Sequence, residues 1–185
     1  MQYIVVSPCC PIGMKRQGKL DMQDEFQLLI EESIKAESNA SELYALFANI
    51  FPEDTDFWNT LAIEERNHAA LITSIQTIAS FENSFPKQIL SENLESLIGF
   101  NKTVLSAINT WKKKPLTRGD AFNFVLILEE ASAEAHFQTA MVNPSATGVL
   151  KVLQDLNTAD KNHAKRIRSY MKTNGIRAEN CALFV

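Results

Sequence analysis

Acidic residues and histidines recur on helical faces that are otherwise apolar. In each half of the chain a central glutamate is followed, 28 or 30 positions later, by an acid with a histidine three residues after it. Residues three apart are neighbours on one face of a helix, so each acid and histidine pair points the same way. The predicted inward set consists of Glu37, Glu65, His68, Glu130, Asp160 and His163.

This predicted set carries a charge that an apolar interior does not tolerate. Four unpaired carboxylates would each cost several kcal/mol, roughly, when buried. No lysine or arginine falls on the predicted inward positions beside them, so either the carboxylates are protonated or cations lie among them. Two divalent metal ions would balance the four charges, and two neutral imidazoles would complete the ligands. Oxygen-rich ligands with one imidazole per metal suit iron or manganese, and a zinc site built only from cysteine and histidine is excluded.

Four long segments of helical periodicity position these residues. The lengths and turn signals predict an all-α fold, a ferritin-like four-helix bundle of two antiparallel helical hairpins joined by a long, partly helical crossover. Residues 1–20 are predicted to form an irregular arm, residues 21–174 the bundle, and residues 175–185 a tail. The predicted helices span about 21–50, 54–80, 118–143 and 146–173, with the crossover at 81–117.

The composition bounds the class of protein. The chain has 185 residues, 45% of them hydrophobic and 22% charged, which suits one globular domain. A net charge of −4 argues against a nucleic-acid partner, and no apolar run is long enough to span a membrane. Three cysteines make no disulfide framework, and residues 1–6 lack the basic-then-apolar order of a secretory signal. We therefore expect a cytoplasmic protein.

The motifs around the inward acids resemble those of the rubrerythrin-like branch of the ferritin-like superfamily. They read IKAESNASELYALFA, AIEERNHAALI, LILEEASAEAHF and TADKNHAKRI, and the resemblance covers about 150 residues. The resemblance implies a non-haem di-iron centre that reacts with hydrogen peroxide or dioxygen. It also implies that Glu37 and Glu130 are terminal ligands and that Glu65 and Asp160 bridge the two metals.

Three features depart from the rubrerythrin pattern. Rubrerythrin proper has an extra carboxylate where this chain has Ala133, and Glu134, one residue further on, is a further candidate ligand. Asp160 stands where the family has glutamate, which shortens that arm by one methylene. No pair of Cys-x-x-Cys motifs is present, so peroxide reduction would need an external electron donor.

Three functions are compatible with the predicted centre. The first is a di-iron oxidoreductase that reduces hydrogen peroxide or uses dioxygen to oxidise ferrous iron, with two iron ions that manganese or zinc could replace. The second is an iron-storage protein in which the centre is an entry site, and the third is a bundle that binds metal only to satisfy its core. A homodimer is expected because the apolar residues 1–6 would need a partner surface.

The residues beside the predicted ligands are expected to have structural roles. The third helix is predicted to turn Ile127 and Glu130 inward. Glu64 and Glu129 each precede a ligand and point about 100° away from it, so we expect both in solvent. His136 lies off the apolar face and is predicted to be a surface residue.

The aromatic and sulfur side chains are weaker candidates for chemistry. For Tyr44 and Tyr170 we expect core packing with a hydrogen-bonded hydroxyl, with a radical-relay role as the alternative. Cys9 and Cys10 could form a redox or metal-binding pair, although adjacent thiols do not easily chelate one ion and a mobile arm explains them equally. Cys181 has no discernible partner.

Overall fold

The computed structural model describes residues 22–82, 93–130, 151, 154 and 163–178. Within these ranges it contains helices and no strand, so the predicted all-α class is confirmed there. A short 3₁₀ turn, Pro52–Asp54, separates the first two helices. The helices are α1 (Met22–Ile50), α2 (Thr55–Glu82), α3 (Leu94–Trp111), α4 (Arg118–Glu129) and α5 (His163–Thr173).

Helices α1 and α2 form an antiparallel hairpin around this turn. The Thr55 hydroxyl donates to the Ala48 carbonyl at 2.9 Å, and the Ser41 hydroxyl donates to the Ala62 carbonyl at 2.7 Å. The two bonds join positions equally far from the turn on opposite helices. This register places the middle of α1 beside the middle of α2, where the predicted acids lie.

Helix α3 lies in the predicted crossover and runs alongside α1 in the same direction. Buried Asn101 accepts a hydrogen bond from Asn39 at 2.9 Å and donates to the carboxylate of Glu32 at 2.8 Å. Further along both helices, Lys112 pairs with Glu42 at 2.7 Å. The contact positions advance together along both helices, so α3 is parallel to α1, and Val104 and Ile108 of α3 join the common core.

Helices α4 and α5 are antiparallel to each other and pack against α2. Thr117 and Asp120 form a capping box that begins α4, as the sequence predicts. The ring of Phe122 on α4 lies 4.4 Å from the ring of Trp58 on α2 and 5.6 Å from that of Tyr170 on α5. Together with the contact of Tyr44 on α1 with Trp58, these contacts place residues of α1, α2, α4 and α5 in one core.

The core of the described residues is strongly aromatic. Trp58 is fully buried at its centre, with the rings of Tyr44, Phe47 and Phe57 within 6 Å. None of the helices described here combines the length and the apolar character that crossing a membrane would require. The aromatic core occupies the end of the helices near the α1–α2 turn, and the predicted acids lie farther along them.

The bounds of α1 and α2 and the beginning of α4 agree with the predicted segments to within two residues. The segment predicted at 21–50 lies at Met22–Ile50, and the one predicted at 54–80 lies at Thr55–Glu82. The third was predicted to begin at 118, where α4 begins. The arm at 1–20 and the segments 131–143 and 179–185 lie outside the described residues.

A buried ion pair fastens the α1–α2 turn to α4 and α5. Asp54, whose side chain is fully buried, accepts two hydrogen bonds from Arg118, at 2.6 and 2.7 Å. The hydroxyl of Tyr170 donates to the same carboxylate at 2.9 Å. The fork geometry of the guanidinium and the third bond compensate the carboxylate for its loss of water.

We predict that Asp54→Ala lowers the free energy of unfolding by about 3 kcal/mol, because it leaves Arg118 without its partner. This loss of stability is at the lower end of the range for broken buried ion pairs, because the Arg118 side chain is 30% exposed. Urea denaturation of metal-free protein measures the change. Asp56→Ala, at an exposed acid two residues away, is the control and should change stability by less than about 0.5 kcal/mol. Equal losses in the two variants would contradict a special role for Asp54.

Candidate metal centre

Glu65 lies between two histidines from different helices. Its Oε2 is 3.0 Å from Nδ1 of His68, one turn along α2, and its Oε1 is 2.7 Å from Nδ1 of His163 at the start of α5. The two imidazole rings are 5.8 Å apart between centroids and nearly parallel. One carboxylate therefore offers a separate oxygen to each side of a roughly symmetric arrangement.

A second carboxylate completes each side. Nδ1 of His68 lies 3.4 Å from Oε2 of Glu37 on α1, and Nδ1 of His163 lies 3.4 Å from Oε2 of Glu129 on α4. In each group of two acids and one histidine, the candidate ligand atoms lie within 4.8 Å of one another. We call Glu37, Glu65 and His68 the first half-site, and Glu65, Glu129 and His163 the second half-site.

The central carboxylate is held in its charged form. Burial raises the pKa of Glu65, but the nearby His163 and His68 more than reverse this effect and bring the pKa well below its usual range. Glu65 is 1% exposed, as are both histidines. The charged form of Glu65 is thus stabilised by the two imidazoles on either side of it.

The second acid of the second half-site has the opposite tendency. Burial raises the pKa of Glu129, and the negative charge of Glu65 adds to that effect, while His163 and Tyr44 oppose it. The Tyr44 hydroxyl, fully buried on α1, donates a hydrogen bond to Oε1 of Glu129. The other carboxylate oxygen of Glu129, Oε2, faces His163. The hydrogen bond from Tyr44 therefore orients the Glu129 carboxylate towards the second half-site.

The donor set fits two divalent cations. Nδ1 of each histidine faces oxygens of two different carboxylates, and one N–H can serve only one of them well, whereas a cation between the three atoms contacts all of them. Three carboxylates and two imidazoles form an oxygen-rich set with one nitrogen per half-site, and these are donor types that bind divalent metal ions. The negative charges of three buried carboxylates must be neutralised by bound cations or by protons. The residues present are therefore suited to hold a metal in each half-site.

The prediction that α4 turns Ile127 and Glu130 inward is wrong. Glu130 is exposed and pairs with Arg168 on the surface of α5, and Ile127, one turn earlier, is 40% exposed. Glu129, expected in solvent, is 9% exposed and belongs to the second half-site. Adjacent residues point about 100° apart on a helix, so an error of one position exchanges an inward acid for an outward one.

The sequence contained a signal for the correct register. Positions seven and four residues before Glu129 are the apolar Phe122 and Val125, both buried. The position seven before Glu130 is the polar Asn123. This signal is weak, because Asn123 and Leu126, on the face that leads to Glu130, are buried as well, and the packing of α4 decides the register.

Glu64 is a second acid that is predicted to lie in solvent but is largely buried in the structure. Its side chain is 17% exposed, and its Oε2 lies 3.3 Å from Nε2 of His163 and 2.6 Å from Nη1 of Arg166. A carboxylate on the far nitrogen of a ligating histidine fixes the tautomer, which leaves Nδ1 to face the metal. Glu64 is thus a positioning residue for the second half-site.

We predict that Glu64→Gln weakens metal binding in the second half-site by about tenfold, because it removes the negative charge 3.3 Å from Nε2 of His163, which favours a proton on that nitrogen. Titration of cobalt or manganese against a chromophoric chelator measures the change. Asp56→Asn, the same change at an exposed acid on α2, should leave the affinity unchanged. An unaltered affinity in Glu64→Gln would show that His163 is oriented without it.

Two predicted ligands, Asp160 and Glu134, lie outside the described residues, as do His136 and all three cysteines. Of the predicted set, the structure brings together Glu37, Glu65, His68 and His163 and leaves Glu130 apart. Comparisons of this chain with protein-family models, with curated proteins and with solved structures each found no match.

Proposed function

We propose that this chain holds a di-metal centre of the rubrerythrin-like type in a ferritin-like four-helix bundle. The observation that carries the proposal is Glu65, whose two oxygens face two histidines from two helices. Each half-site then adds one carboxylate from a third or fourth helix, Glu37 or Glu129. This resembles the arrangement of di-iron carboxylate bundles, in which the ligands come from all four helices.

The helix directions support the same proposal. Helices α1 and α2 are antiparallel, as are α4 and α5, and the long connection between the pairs contains α3. Asp160 would be the fourth carboxylate, as the sequence predicts, and would bring the acids to four against two divalent ions. Iron is the proposed resident metal, and manganese and zinc are substitutes.

The proposed activity is reduction of hydrogen peroxide, or oxidation of ferrous iron by dioxygen. Bound iron would supply the electrons, one from each half-site, and an open coordination position for the oxidant. Glu65 would hold the two half-sites at a fixed separation, while Glu37 and Glu129 neutralise the charge of each ion. The external electron donor and the homodimer remain predictions from the sequence.

The proposal is tested by rapid mixing of anaerobic, ferrous-loaded protein with hydrogen peroxide, followed optically. We expect two ferrous ions per chain to be oxidised for each peroxide, with repeated turnover when a reductant is added. Elemental analysis of protein purified without added metal identifies the resident ion.

The alternatives give different outcomes in the same experiment. Slow oxidation with many irons retained per chain would favour iron storage. Bound metal with no reaction would favour a structural role, and absence of bound metal would overturn the proposal. A variant with both half-sites intact and an altered exposed acid, Glu42→Gln, serves as the mixing control.

A further inference from the structure

Aromatic rings connect the candidate metal centre with the surface. Tyr44, whose hydroxyl donates to Glu129, has its ring 5.9 Å from that of Trp58. The ring of Phe57 lies 5.4 Å from Trp58 and stacks on Tyr170 at 4.0 Å. The series contains three side chains that can lose an electron, Tyr44, Trp58 and Tyr170, and runs from a fully buried position to a half-buried one.

The outer end of this series is suited to the loss of an electron and a proton together. The Tyr170 hydroxyl donates to Oδ1 of Asp54 at 2.9 Å, so a proton acceptor is already in place. Burial raises the pKa of Tyr170, which keeps the phenol protonated at neutral pH. Tyr170 also lines two adjoining surface cavities of about 430 and 400 Å³, through which small molecules can reach the ring.

We propose that Tyr170, connected through Trp58, supplies an electron to hydrogen peroxide when the centre holds one ferrous ion instead of two. The inference rests on the proposed function. Cleavage of the O–O bond to give two waters takes up two electrons and two protons. One electron is that of the ferrous ion, which becomes ferric. Tyr170 gives the other electron and becomes a neutral tyrosyl radical.

The protons balance in the same step. Tyr170 releases its proton through Asp54 to solvent, and solvent delivers two protons to the peroxide oxygens, so the step takes up one proton from solvent overall. The consequence is protective, because an incompletely loaded centre would otherwise leave an oxidising equivalent among its own ligands. The radical forms instead beside the surface cavities, where a small reductant can repair it.

The test compares protein loaded anaerobically with one or two equivalents of ferrous iron, mixed with one equivalent of hydrogen peroxide and freeze-quenched. Electron paramagnetic resonance should show a tyrosyl signal in the one-iron sample and loss of most of it in the two-iron sample. The chain has three tyrosines and two tryptophans, so single variants assign the signal. Tyr170→Phe should abolish it, and peptide mass spectrometry should locate oxidation at Tyr170 in the unaltered chain.

Trp58→Phe and Trp111→Phe form a matched pair for the route. Trp111 packs against the rings of Phe47 and Phe124, which are not part of the series from Tyr44 to Tyr170, so its replacement should leave the signal unchanged, while Trp58→Phe should reduce it. If Trp58→Phe does not fold, Tyr170→Phe decides alone. A tyrosyl signal that survives in Tyr170→Phe, or ferric iron without any radical, overturns this inference only. If peroxide oxidises the iron in neither the one-equivalent nor the two-equivalent sample, the proposed function is overturned as well.

Discussion

Glu65→Ala is expected to abolish metal binding in both half-sites. Each half-site takes one oxygen of Glu65, at 3.0 Å from His68 on one side and 2.7 Å from His163 on the other, so the substitution removes a ligand from each. Elemental analysis after loading with iron or manganese should give a metal content near zero, against two ions per chain in the unaltered protein.

The same substitution should also remove the stabilisation that metal confers. A ligand present at one hundred times its dissociation constant adds about 2.7 kcal/mol to the free energy of unfolding, and Glu65→Ala should show none of this gain. Denaturation with and without metal measures it. Glu42→Ala, at an exposed glutamate on α1, is the control and should keep the full gain. Retention of two ions by Glu65→Ala would contradict a shared carboxylate.

Glu129→Gln and Glu130→Gln are expected to differ sharply although they alter adjacent residues in the same way. Glu129 is 9% exposed and faces His163, so its loss should weaken the second half-site by more than about 100-fold. Glu130 pairs with Arg168 on the surface, so its loss should leave the metal content and affinity unchanged. Metal titration of the two variants, with elemental analysis at saturation, measures the difference.

This pair decides between the two possible registers of α4. The motif resemblance implies Glu130 as the ligand, and the structure brings Glu129 to the half-site. If Glu130→Gln loses metal while Glu129→Gln keeps its metal content and affinity, Glu130 is the ligand, as the sequence predicts. Because both variants remove one charge from the same helix, a difference between them does not arise from net charge.

The sequence determined the class of fold and four members of the candidate site. Helical periodicity over long segments predicted helices, and the position of Glu37, Glu65, His68 and His163 on apolar faces predicted that they meet inside. Both inferences depend on local patterns within one helix. An apolar face has few alternatives to burial, and a carboxylate in its middle is buried with it.

Only the tertiary structure decided which of two adjacent acids enters the centre and what surrounds it. Helix α4 is buried on nearly all sides, so its apolar residues do not define one face, and the choice between Glu129 and Glu130 depends on its rotation against α1, α2 and α5. The contacts of Glu64 with His163 and Arg166 join residues about a hundred positions apart. Such contacts arise from packing between helices, and the spacing of residues along one helix contains no record of them.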